Sequence, residues 1–247
     1  MGSVIMRTLG PTQGIFVNTV FYLPLLLWLV SAPYGRHFRG AATGPKRAVR
    51  GLADIIHTLR DVREMPVVAA MVLLAGAASF FIGNSYQAQM PGFAQDLGHG
   101  DPGTAYTLLL GADAAGALLA GILLETRGTW LRTVPTSAMK IALLWGCALF
   151  TFSFMRAYPA AILVLFMAGF LELSFSSMTQ ALVQLHAPDN IRGRVLGLFS
   201  MSASGLRAFS GITVGLLGSV TNTHMSLALS AVAFVTVASL LLFRRRE

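Results

Sequence analysis

Three charged side chains fall near the middle of hydrophobic runs long enough to cross a bilayer: Asp113, Glu172 and Arg207. A charge near the bilayer midplane costs about 2.5–3.5 kcal/mol even on the lenient insertion scale, so it faces a bundle interior or a wet cavity and finds a partner. Two carboxylates and one arginine at matching depth leave one carboxylate over after a single ion pair. A desolvated carboxyl group without a counter-ion favours its neutral form and can carry a proton. In "LELSFSSMTQ" Ser176 and Thr179 stand on the same helical stripe as Glu172. Ser and Thr there are compatible with cavity lining and equally with bonding to helix carbonyls or neighbouring helices. Asn84, Gln87 and Gln89 are likewise consistent with polar lining and with helix-end solvation. These residues make Glu172 the first candidate for a proton-carrying group and Asp113 the second, with Arg207 as their counter-ion.

The elements that must hold these groups are membrane helices. Of 247 residues 55% are hydrophobic and 11% charged, against about 25% charged in an ordinary soluble domain. Seven runs approach the ~20 apolar residues needed to span: 14–32, 66–86, 104–124, 136–155, 159–183, 195–219 and 225–243. The expectation is therefore an all-α membrane protein of about seven transmembrane helices. Pro24 and Asn18 interrupt the first run, which also has the features of a signal peptide: Arg7 ahead of "LPLLLWLV", then Val30-Ser31-Ala32. The basic cluster that follows resists export and favours a span. Met6 stands where a myristoylation signal wants Ser or Thr.

The net charge of +8 is distributed as topology requires, so nucleic acid is not an expected partner. Segment 36–63 holds seven Lys or Arg, 125–132 holds Arg127 and Arg132, 184–194 holds Arg192 and Arg194, and the tail ends in Arg244, Arg245 and Arg246. The alternate connections carry Arg156 alone. The C-terminus is thus placed in the cytoplasm and, over seven spans, the N-terminus outside. Within the basic segment, "RAVRGLADIIHTLRDVREMP" sets Val49, Leu52, Ile55, Ile56, Leu59 and Val62 at helical spacing, an amphipathic helix at the membrane surface or on the end of the bundle.

Other chemistries are poorly supported. The five histidines, His37, His57, His99, His186 and His224, are placed in loops or at helix ends, and Cys147 is the single cysteine. No metal site, His-assisted nucleophile or disulfide is expected. No nucleotide-binding motif is present, no cofactor is implied and no enzyme is expected. A seven-helix receptor fits the span count, but Lys140 lies at a helix end and no lysine sits at mid-membrane to hold a retinal. "GADAAGALLAG" at 111–121 and Gly211-x-x-x-Gly215 offer small-residue faces for close helix approach.

Two cytoplasmic turns carry a resemblance. "GILLETRGTWLR" at 121–132 resembles the G-x-x-x-D/E-R-x-G-R loop of the major facilitator superfamily at Gly121, Glu125, Arg127 and Gly128, with Thr126 inserted between acid and arginine. "APDNIRGRVLGLF" is similar to the P-x-x-x-R-G-R-V-x-G-L turn of the branch with bacterial enterobactin exporters and related drug-efflux proteins, at Pro188, Arg192, Gly193, Arg194, Val195, Gly197 and Leu198. The resemblance implies that these loop residues form a cytoplasmic gate and touch or nearly touch. It implies a secondary transporter of a bacterial inner membrane, built as parallel six-helix repeats. The weak echo of "LRAFSGITVG" in "MRTLGPTQG" then marks 1–35 as a remnant of an N-terminal half, 36–65 as a basic linker and 66–247 as the C-terminal six-helix half. Proton-driven efflux of a siderophore-like or drug-like small molecule follows from the resemblance. Its partners would be that solute, the lipid bilayer and an N-terminal half or second copy. A non-transporting, membrane-embedded partner subunit is the alternative.

The charge map gives a direct test. Reporters after Glu247 and near Gly44 are expected on the cytoplasmic side, and one near Gly98 outside; an external signal at Gly44 would overturn the map.

Overall fold

The computed structural model describes residues 16, 19–31, 51–83, 85–97, 102–126, 133–210 and 221–244. These divide into two units, 1–49 and 50–247. The first contributes one helix, α1 (Thr19–Ser31), apolar but short. At 1.5 Å per residue its thirteen residues reach about 20 Å, less than the ~30 Å hydrocarbon core.

The second unit is all α-helical among its described residues. Its elements are α2 (Gly51–Arg63), α3 (Pro66–Phe81), α4 (Ser85–Asp96), α5 (Pro102–Thr126), α6 (Pro135–Ser153), α7 (Tyr158–His186), α8 (Arg192–Ser200), a π-helical turn (Met201–Gly205) and α9 (Thr223–Phe243). Proline opens α3 and α6 and sits in the first turn of α7, where its missing N–H and fixed φ cost nothing. Asn222 caps α9, its Oδ1 accepting from the Met225 N–H at 2.8 Å.

Four of the seven expected spans are helices long and apolar enough to cross a membrane: Thr104–Thr126, Pro135–Ser153, Tyr158–His186 and Thr223–Phe243. Large apolar side chains on their outer faces are exposed, among them Leu118, Leu163 and Leu240. In a bilayer this is the lipid-facing surface.

The run at 66–86 departs from a single span. The α3 helix ends at Phe81, and Gly83, at φ +49°, takes the left-handed conformation that favours glycine. Its N–H closes the helix on the Ala78 carbonyl at 2.9 Å, and α4 starts afresh two residues later. The run at 195–219 is broken by the π turn, with 207–210 again α-helical beyond it. Residues 211–220, with Gly211 and Gly215, lie outside the described residues.

The α2 helix meets α3 at a 120° bend. The two could be counted as one broken span, but Arg60, Asp61, Arg63 and Glu64 crowd the junction. On α2, Thr58 and Val62 are buried against the bundle and Ile56 and Leu59 face out. His57 sits in the interior of this helix rather than at an end.

The centre of the unit is α7, which packs on α3, α5, α6 and α8. Trp145 of α6 stacks on Phe175 of α7 and meets Phe234 of α9 edge-on, so three spans share one aromatic contact. His224 ties the opposite end: Nδ1 lies 2.7 Å from the Ser153 carbonyl and Nε2 3.0 Å from Asp96 Oδ2, with the ring against Phe93.

The closest crossing is between α5 and α7. A Cβ added at Gly116 would overlap the Phe166 carbonyl, and one at Gly169 would overlap the Asp113 carbonyl. Backbone therefore meets backbone at two glycines, one from each helix. Gly116→Ala and Gly169→Ala are each expected to lower stability by about 1–3 kcal/mol through overpacking. Gly111→Ala and Gly197→Ala, where a Cβ meets nothing within 4 Å, should be neutral or slightly stabilising. Thermal unfolding of the four purified variants separates the pairs; equal behaviour would overturn the assignment.

Candidate functional site

The two carboxylates of the third and fifth expected spans come together across the α5–α7 crossing. Asp113 is buried at 6% exposure. Glu172 lies one turn beyond Gly169, on the side of α7 that faces Asp113. Between them stands Tyr86 of α4, fully buried. Its Oη is 2.8 Å from Glu172 Oε2 and 3.2 and 3.3 Å from the two Asp113 oxygens. Gln87 follows on the same turn, with Nε2 donating to Asp113 Oδ2 at 3.2 Å and reaching Tyr86 Oη at 3.4 Å. The break at Gly83 makes this possible, because the restarted α4 carries Tyr86 into the space between α5 and α7.

Counting hydrogens defines the chemistry. A phenol has one proton and donates to one carboxyl group at a time. Its second carboxyl contact is a hydrogen bond only if that carboxyl is protonated and donates in return. Two ionised carboxylates on one phenol would repel in a poorly solvated site. One proton shared by the pair satisfies every contact, and it can be passed through Tyr86 by exchanging donors: Glu172 to Tyr86 to Asp113, or the reverse.

Beside Glu172 is a cavity of about 40 Å³ between α3, α6, α7 and the 199–207 segment. That is room for water rather than for a bulky solute. Phe199, Ala203 and Arg207 line it at four-residue intervals. An uninterrupted α-helix would rotate residue 207 about 80° away from residue 199; the wider π turn between them offsets part of that lag, and π turns recur at functional sites. Arg207 and Glu172 both line this space. The expected ion pair is not formed: among the described residues, no carboxylate stands within salt-bridge distance of its guanidinium.

Ser176 and Thr179 also line the cavity. Thr179 is committed to its own helix, its hydroxyl donating to the Phe175 and Ser176 carbonyls at 2.9 Å. Two further cavity residues, Ser79 and Trp145, are 3% exposed, and Ser79 Oγ and Trp145 Nε1 have no hydrogen-bond partner. Gln89 Oε1 is also buried without one. A buried unpaired donor costs about 1–3 kcal/mol, and the cavity beside both has room for a water that would accept from them.

Sequence reasoning missed Tyr86, Ser79 and Trp145. Tyr86 had a signal, a polar aromatic beside Gln87 just past a helix-stopping glycine. Ser79 and Trp145 had none, since each is ordinary in an apolar helix.

The loop residues are less assembled. Arg192 pairs locally with Asp189 at 2.6 Å and its Nε donates to the Ala187 carbonyl at 3.4 Å. That pair is largely exposed and of the kind worth about 0–1 kcal/mol. Gly193 borders open space, and Arg194 is partly buried at the start of α8, which packs on α2, α3 and α7. Glu125 is exposed, and Gly121 faces Leu173 of α7. Arg127 and Gly128 lie outside the described residues, and with them the expected meeting of the two loops. Among the described residues, no cluster of His, Cys, Asp and Glu could hold a metal ion.

A family model described as Major Facilitator Superfamily matches residues 1–212. No curated protein and no solved structure matches the chain.

The bridge should be measurable without any transport assay. In a double-mutant cycle of Tyr86→Phe and Glu172→Gln, unfolding free energies are expected to be non-additive by about 0.5–3 kcal/mol. Strict additivity would show that the 2.8 Å contact contributes nothing.

Proposed function

The chain belongs to the major facilitator superfamily, and we propose that Glu172 carries the coupling proton of a membrane transporter. A membrane transporter, rather than an enzyme, is what family membership and the apolar helices support. We further infer that 66–247 is a six-helix half, that its working partner is an N-terminal half or a second copy, and that it exports a siderophore-like or drug-like solute from a bacterial cytoplasm. The observation that carries the reading is the Asp113–Tyr86–Glu172 bridge, three polar groups from three helices joined inside an apolar bundle.

Glu172 rather than Asp113 is the carrier because of what surrounds each. Asp113 accepts from Gln87, a donor that favours an ionised carboxylate against the opposing effect of its burial. Glu172 borders the cavity and Arg207, so a proton arriving through that space meets it first. With its proton, Glu172 donates to Tyr86 and the site closes dry; without it, the negative charge favours an open, wetter arrangement facing Arg207. A solute oxygen that accepts from Trp145 Nε1 and Ser79 Oγ would compete for the same space. Outward release of solute is then exchanged for inward entry of a proton. Closure of Arg192, Arg194, Glu125 and Arg127 at the cytoplasmic ends would seal the other side.

Infrared difference spectroscopy tests the carrier directly. A protonated-carboxyl stretch is expected in the wild type at neutral pH, lost in Glu172→Gln and kept in Asp113→Asn. The opposite pattern would put the carried proton on Asp113. In cells or vesicles with the transporting assembly, Glu172→Gln should abolish the pH dependence of efflux while leaving insertion intact. Normal efflux across the pH range would make Glu172 structural.

A further inference from the structure

A second cavity lies away from the carboxylate bridge. It is a sideways-open groove of about 870 Å³ between α2, α3, the 202–206 segment and α9. Its length is set by α3: Ala69, Leu73, Gly76 and Phe80 form one stripe at helical spacing, faced by Leu206 and Val237. From Ala69 to Phe80 that stripe runs about 17 Å, close to the ~15 Å depth of one hydrocarbon leaflet. The walls are apolar throughout except Ser202 and, at one end, Arg60 and Arg63 of α2.

Those two arginines are the informative feature. They stand on the surface helix just before the 120° bend into α3, so charge sits at the level of the interface and the groove descends from it towards the midplane. Among the described residues neither is in an ion pair, and Asp61 and Glu64 of the same stretch do not line the groove. Leu59 and Leu73 on its margin are 49% and 56% exposed, so the flank of the groove is open and apolar.

We propose that this groove is a binding site for one anionic phospholipid, its phosphate on Arg60 and Arg63 and an acyl chain along the α3 stripe. Length, polarity and charge order all match a lipid lying in its own leaflet: a cationic mouth at the interface, an apolar trough one leaflet deep, and an open flank for entry. Bound there, the lipid would brace α2 against α3 and against the segment that leads to Arg207. Basic pockets beside membrane helices recognise anionic head groups in this way.

Native mass spectrometry of the full chain, released from detergent with phosphatidylglycerol or phosphatidylcholine of matched acyl chains, tests the proposal. One phosphatidylglycerol is expected to be retained about thirtyfold more tightly than phosphatidylcholine, from two arginines at the head group. The double variant Arg60→Gln/Arg63→Gln should lose that preference. Replacing the tail arginines, Arg244, Arg245 and Arg246, with Gln should preserve it. Ala77→Trp, which leaves both arginines in place and fills the trough, should prevent retention; far-UV circular dichroism confirms that each variant remains helical. Equal retention of both lipids by the wild type, a preference that survives Arg60→Gln/Arg63→Gln, or a second copy of the chain on the groove in place of lipid would each overturn the proposal.

Discussion

The backbone contact between α5 and α7 is the constraint on which the rest of the site depends. Asp113 and Gly169 meet main chain to main chain, which fixes the register of the two helices to within a residue. Glu172 then falls one turn along α7, on the side that faces Asp113. Any side chain at Gly116 or Gly169 would move the helices apart and with them the two carboxyl groups. Tyr86 can span the gap only while that gap stays one phenol wide, because its bond to Glu172 is already 2.8 Å and those to Asp113 are longer. Packing in lipid, where apolar area gives helices no reason to prefer each other over acyl chains, has to rest on such close approach.

Two interruptions of regular helix complete the site, and neither is a defect. At Gly83 the chain leaves α3 in a left-handed turn and restarts, turning a would-be straight span into two segments whose junction delivers Tyr86 and Gln87. At Met201–Gly205 the helix passes through a π turn, so that Phe199, Ala203 and Arg207 border one cavity. In a membrane, irregular backbone is tolerated where protein or a polar cavity satisfies it. Both irregularities border the Glu172 cavity: Gly83 and Ala203 lie on its wall.

Most of the fold was legible in the sequence because the bilayer imposes simple rules. Length and apolarity located α5, α6, α7 and α9, and the cost of a buried charge singled out Asp113 and Glu172. What stayed hidden depends on three-dimensional neighbours. The small-residue face at 111–121 showed that α5 has a close partner but not that Gly169 supplies the other half. Within that face, Gly116 is in contact whereas Gly111 borders open space, and spacing alone does not distinguish them. Arg207 was read as a counter-ion by depth, yet the helix that carries it holds it across a cavity from Glu172. The π turn left no mark, since "MSASG" contains nothing that an α-helix excludes at its positions.

The bridge also carries an argument about why an aromatic hydroxyl, rather than a second arginine, joins the carboxyl groups. A guanidinium between Asp113 and Glu172 would hold both ionised and fix their charge, leaving nothing to exchange. A phenol contributes no charge near neutral pH and both donates and accepts. It therefore lets the pair share one proton, with one negative charge rather than two, and that proton can change sides without any heavy atom moving far. Arg207, separated by the cavity, then stabilises whichever arrangement exposes negative charge to that space. A site whose purpose was only to glue helices together would gain more from a closed, fully paired network. Unpaired donors at Ser79 and Trp145 beside an incompletely paired Glu172 are instead what a site needs if its polar partners are to change.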